Sequence, residues 1–168
     1  MTLKLFFPGI PFSKQSVRAN PVYNRKTGEP VIYKDKLTGK KRVLISFHQP
    51  KKVVEQEKSI KAMTAKQIPK NFTPFRGPVI VKELLFVFPP LSTWPKYKLY
   101  DLAQGKVFYK DTKPDITDNL CKGLFDAMEG IIYMNDSQIC EQGLTRKIYG
   151  LKPGIYLTIE GNKEQSNE

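Results

Sequence analysis

An α+β fold is what this sequence predicts, and three observations carry that expectation. Val79 to Phe88, VIVKELLFVF, is the most β-prone run in the chain and stops at Pro89-Pro90, as a strand buried on both faces does. Gly154 to Glu160 alternates cleanly, with Ile155, Leu157 and Ile159 on one face and Tyr156, Thr158 and Glu160 on the other. Ile116, Leu120, Leu124 and Met128 recur at helical spacing and, with Cys121 and Phe125, fill one half of a helical wheel.

The remaining elements follow in chain order. Leu3 to Phe7 alternate around Lys4 and stop at Pro8-Gly9, which predicts a short first strand, and the loop beyond carries Lys14 and Arg18. From Tyr23 to Ile45, turn signals at Thr27-Gly28 and Thr38-Gly39 flank the VIY segment at Val31 to Tyr33, with VLI at Val43 to Ile45 after the second. The expectation is a hairpin whose tip holds Lys34, Lys36, Lys40, Lys41 and Arg42, a ribbon suited either to a phosphate backbone or to protecting a sheet edge. Pro50 opens a polar stretch with Val53, Ile60, Met63 and Gln67 at roughly helical spacing and Pro69 as a stop, predicting an amphipathic helix. Pro90 to Lys113 shows no sustained period and is expected to be a loop, with Trp94, Tyr97 and Tyr100 among Lys96, Lys98, Lys106 and Lys110. Lysines among aromatics suit DNA, whereas Trp94 is expected to pack.

The 168 residues suit one domain over 1–160, with a polar tail over 161–168 expected to be disordered. Lys and Arg number 28 against 16 Asp and Glu, a net charge of +12, so a polyanion is the expected partner. No apolar run approaches the roughly 18 residues of a spanning helix, which leaves nucleic acid ahead of membrane. Cys121 and Cys140 have neither metal-ligand spacing nor the density of a disulfide scaffold, and both are expected to be buried thiols. The opening MTLKLFFPGIPF has no export-signal pattern, giving the expectation of a cytoplasmic protein. His48 is the only histidine and is assigned no role.

The chemistry lies in KPDITDNLCKGLFDAMEGIIYMNDSQI, Lys113 to Ile139. Pro114 forces an extended approach, Asp115 and Asp118 suit a helix start, and Gly130 suits its left-handed close. IIYM, Ile131 to Met134, reads as a strand and Asn135-Asp136-Ser137 as a tight turn into another. That order would bring Asp136 toward Asp115 and Asp118. Converging carboxylates require a cation between them, and oxygen-only ligands suit Mg²⁺ or Mn²⁺. Such an ion activates water against a phosphodiester, and Lys122 would stabilise the pentavalent transition state. With no histidine in the site, activity should rise with pH as the attacking water ionises. Each residue also has a plain structural reading: Asp115 a helix cap, Asp118 and Lys122 a surface ion pair, Asp136 a turn former.

At these residues the sequence resembles the RusA-type Holliday junction resolvases, crossover junction endodeoxyribonucleases. The resemblance rests on Pro114-Asp115, Asp118-Asn119, Lys122, Asp126-Ala127 and Asp136-Ser137-Gln138-Ile139, with a weaker echo in Gly9-Ile10-Pro11 leading to Lys14. It implies a small α+β homodimer with a mixed β-sheet and two main helices, cutting four-way DNA junctions in recombination, repair or phage DNA processing. It further implies Mg²⁺ held by Asp115, Asp118 and Asp136, with Lys122 as the catalytic lysine and Asn119 in support. One departure stands out: the family motif has a single residue between its first two aspartates, whereas Ile116 and Thr117 both intervene here. The chain is also longer than the family's compact form, which makes residues 20–49 the candidate insertion. Lys14, Arg18, Lys40, Lys41, Arg42, Lys96, Lys98 and Lys110 are the expected DNA contacts. A restriction-type nuclease is disfavoured because no acidic-x-Lys follows Pro114-Asp115. A non-catalytic junction-binding module remains the alternative.

Overall fold

The structure is a computed structural model that describes residues 1–14, 18–48 and 50–162, apart from the side chains of Arg18 and His48. Two compact units divide the chain, one made of Met1–Lys14 with Glu55–Glu168 and the other of Gln15–Val54.

The larger unit is built on a five-stranded mixed sheet in the order β1-β9-β6-β8-β7. These strands are β1 (Thr2–Pro8), β6 (Val79–Phe88), β7 (Phe108–Tyr109), β8 (Ile139–Tyr149) and β9 (Gly154–Gly161). β6 lies at the centre as its composition predicts, parallel to β8 and antiparallel to β9, and the outer pairs are antiparallel. The alternation expected in β9 holds: Ile155, Leu157 and Ile159 are buried. Gly143 in β8 is required by close approach, because a Cβ there would stand 2.6 Å from the Lys82 carbonyl oxygen.

Helix α1 (Lys51–Gln67) and helix α3 (Lys122–Met128) supply the two main helical faces. Ile60 from α1 and Leu124, Ala127 and Met128 from α3 join Leu84, Phe86, Leu157 and Ile159 in one core. Each large apolar side chain fully buried there contributes roughly 1.5–3 kcal/mol. At the end of α1, the Gln67 amide bonds both the N–H and the C=O of Phe6, occupying backbone groups that edge strand β1 would otherwise expose.

Three expectations are corrected. The segment from Pro90 to Lys113 is not a loop throughout: it contains α2 (Lys96–Ala103) and β7. Pro95 sets up the first turn and Leu102 is the buried anchor, while Tyr97 and Tyr100 face outward and erase the apolar stripe that would reveal a helix. Ile131 to Met134 is a turn and not a strand. Gly130, at φ +75°, reverses the chain directly after α3, and the buried Tyr133 donates its hydroxyl back to the Phe125 carbonyl at 2.8 Å. A short apolar run does not distinguish a strand from a tightly packed turn. Of the two thiols, Cys121 is buried but Cys140 is exposed.

The smaller unit is a pair of ribbons. β2 (Arg18–Pro21) pairs with β5 (Ile45–His48), and β3 (Ile32–Lys34) pairs with β4 (Lys41–Val43). Both Thr-Gly turns form, with Gly28 at φ +71° and Gly39 at φ +67°. Asp35 ties the second turn by accepting from the Leu37 and Thr38 N–H groups, and these bonds lower its pKa. The tail residues 163–168 lie outside the described structure. Among the described residues no helix is long and apolar enough to cross a membrane.

Candidate active site

The acidic segment approaches from β7. Lys110 follows that strand, its N–H bonded to the Lys147 carbonyl of β8 at 2.9 Å. The Lys147 ammonium then donates to the Thr112 and Pro114 carbonyls at 2.6 and 2.7 Å. Its pKa is lowered, first by burial and then by the nearby Lys110 charge, against the opposing pull of Asp115 and Asp111. Sequence reading missed Lys147, since a lysine late in a strand carries no local signal.

Asp115 is in extended conformation at the threshold of a π-helix, Ile116–Cys121, that runs directly into α3. The wide turn is closed by bonds five residues apart, from the Leu120 N–H to the Asp115 carbonyl at 3.1 Å and from the Lys122 N–H to the Thr117 carbonyl. A π-turn accommodates one more residue than an α-turn, so Ile116 and Thr117 fit between the two aspartates while Leu120, Cys121 and Leu124 stay buried. The Asp115 carboxylate does not cap the helix. Its Oδ2 instead accepts from the Asn119 side-chain amide at 3.3 Å.

The Asp118 and Lys122 side chains are exposed and, among the described residues, form neither the expected surface ion pair nor any other hydrogen bond or ion pair. Asp136 is equally uncommitted. It opens a short 3-10 turn, Asp136–Gln138, whose cap is made by its neighbours: Asn135 accepts from the Ser137 N–H at 3.0 Å and Gln138 accepts from the Asn135 N–H at 2.9 Å. The Gln138 amide also donates to the Phe75 and Gly77 carbonyls, both at 2.9 Å, and fixes this turn to the sheet unit. Asn135 with Gln138 three residues later is a capping-box pattern, a signal that the sequence itself carries.

The Asp115, Asp118 and Asp136 side chains thus lie at the entry of the π-helix, within its first turn, and beyond the end of α3. Among the described residues, no three His, Cys, Asp or Glu side chains are gathered into a set able to hold a metal ion. The expected convergence relied on a strand at Ile131 to Met134, where the chain instead turns. Asp136 shares its surroundings with Asp126 and Glu129, and all three charges act with burial to raise the Tyr133 pKa. In kind, the donors still fit a hard divalent cation: they are carboxylate oxygens, and two of the three carboxylates have no partner among the described residues.

The basic residues divide by role. Lys14 is engaged within the protein: its ammonium contacts Asp126 at 2.6 Å and Glu57 at 3.0 Å with its side chain 15% exposed. Burial pulls its pKa down, but the bonds to the two carboxylates outweigh this and raise it. Lys40 and Lys41 are exposed beside Arg42, which pairs with Asp35 at 3.4 Å. Lys96 is exposed on α2, and Lys98 lies 3.9 Å from the Trp94 ring centre. Trp94 packs on Phe108 and Tyr149 as expected. Lys110 bonds the Thr112 hydroxyl, and Arg18 opens β2 with its side chain outside the described structure.

No curated protein matches the chain significantly. Residues 19–160 match the family model described as Endodeoxyribonuclease RusA, a family whose membership implies Holliday junction resolvase nuclease activity. With a mixed sheet carrying the acidic segment between edge strand β7 and its neighbour β8, and that match over most of its length, the chain belongs to the RusA endodeoxyribonuclease family.

Proposed function

We propose that this chain is a divalent-metal-dependent endonuclease acting on four-way DNA junctions as a homodimer, in the cytoplasm, during recombination, repair or phage DNA processing. The observation that carries the catalytic reading is that the Asp118, Lys122 and Asp136 side chains are exposed and form no hydrogen bond or ion pair among the described residues, while Asn135, Gln138 and Lys147 perform the structural work around them. Mg²⁺, with Mn²⁺ as a substitute, would be held by Asp118 and Asp136 together with Asp115. Bound there, the cation supplies Lewis acidity toward the scissile phosphate.

The protein's own groups do the rest. Lys122 presents its exposed ammonium at the start of α3 to the non-bridging phosphate oxygens, where negative charge grows in the transition state. Asn119 holds the Asp115 carboxylate in one orientation. Lys40, Lys41, Arg42, Lys96, Lys98 and Lys110 contact phosphates and orient the duplex arms without reading sequence.

The absence of three gathered carboxylates among the described residues favours a second reading, a junction-binding module that does not cut. One experiment separates them. A labelled synthetic four-way junction and a linear duplex are incubated with Mg²⁺, Mn²⁺ or EDTA, comparing the unmodified protein with Asp118→Asn. Paired nicks on the junction that need the metal and vanish in the variant support the resolvase; tight binding without cleavage under every metal supports the binding module.

A further inference from the structure

Between β7 and the π-helix the chain has no regular structure, yet it is held at both ends by one residue of another strand. The Lys147 ammonium joins the Thr112 and Pro114 carbonyls, and the Lys147 carbonyl takes the Lys110 N–H. Two carbonyl oxygens aimed at one point repel each other unless a cation lies between them, and an ammonium offers three donors for that purpose. Pro114 directly precedes Asp115, so the tether acts one peptide away from a carboxylate of the site. β8 is also a firm base: it lies between β6 and β7 in the sheet, and it starts at Ile139, directly after the turn that carries Asp136.

We propose that Lys147 is a positioning residue, holding the Asp111-to-Pro114 approach against β8 and so fixing the Asp115 carboxylate relative to Asp118 and Lys122. One strand then indexes both ends of the acidic segment. The catalytic consequence rests on the nuclease reading, whereas the tether itself does not.

Lys147→Met keeps the aliphatic stem and removes the cation; Lys147→Arg keeps a cation. The full-length variants are compared by hydrogen exchange, by junction binding in EDTA and by single-turnover cleavage. For Lys147→Met we expect faster exchange confined to residues 110–118, and binding within about twofold, because one lysine among many adds little to affinity. Cleavage should be slower by about 100-fold, the scale of an ångström-sized misplacement. Lys147→Arg should recover protection and rate together. Unchanged exchange with weakened binding would make Lys147 a phosphate contact, and faster exchange across the whole chain would make it a general fold residue; either overturns the proposal. So would loosened exchange with full cleavage. If the unmodified protein cuts no junction, the nuclease reading falls while the exchange comparison still decides the tether.

Discussion

Among the described residues the Asp118, Lys122 and Asp136 side chains form no hydrogen bond or ion pair, and the sharpest tests lie with them. Asp118→Asn keeps shape and removes charge, so junction binding should persist while metal-dependent cleavage falls by at least about 100-fold. Cutting at the normal rate would reduce Asp118 to a surface residue. Lys122→Ala should likewise bind and fail to cut, because one cation among 28 basic residues contributes little to total attraction; loss of both properties would mean a structural role. Lys14 belongs to the opposite class. Its removal leaves Asp126 and Glu57 facing each other without their cation, so Lys14→Met should cost about 1–3 kcal/mol of stability in denaturant titration. A double-mutant cycle with Asp126→Asn should recover part of that loss, and simple additivity would show that the pair is not coupled.

At the scale of elements, legibility followed periodicity. β6, β9, α1 and the buried face of α3 were readable because a single apolar stripe or alternation runs through each. α2 was hidden by tyrosines on its solvent side, and Ile131 to Met134 misled because burial of Ile132 and Tyr133 comes from turn packing, not from a sheet. The residues proposed for the chemistry all stand in the motif, but their arrangement was not legible, since the π-turn and the Lys147 tether involve bonds that one-dimensional spacing does not encode. The π-turn is itself testable. Thr117 is exposed while Ile116 packs against the core, so deleting Thr117 should let the turn close as an α-helix and restore the family's spacing. The expected product folds, melts within a few degrees of the parent and still cleaves junctions, as judged by circular dichroism and nicking assays. Collapse of the fold would show that the wide turn is needed to keep Leu120 and Leu124 in the core.

For the molecule as a whole, charge is the dominant fact. A net charge of +12 on 168 residues produces an attraction to DNA that depends on counterion release, so affinity should fall steeply and log-linearly with salt. The smaller unit concentrates part of this charge on a ribbon, where Lys34 and Lys41 pair across strands β3 and β4 and Tyr33 pairs with Arg42. Like charges set opposite each other destabilise an isolated ribbon, a cost that is offset when a phosphate backbone lies along it. Replacing Lys40, Lys41 and Arg42 together by Gln should therefore weaken junction and linear duplex alike and lower the salt slope by roughly two to three, at about 0.9 per lost phosphate contact. Cleavage at saturating protein should remain, because the ribbon holds none of the residues assigned to the chemistry. The measurement is binding to both DNAs across a salt series; an unchanged slope would make these lysines guardians of a strand edge, and a loss confined to the junction would make the ribbon a reader of branch shape.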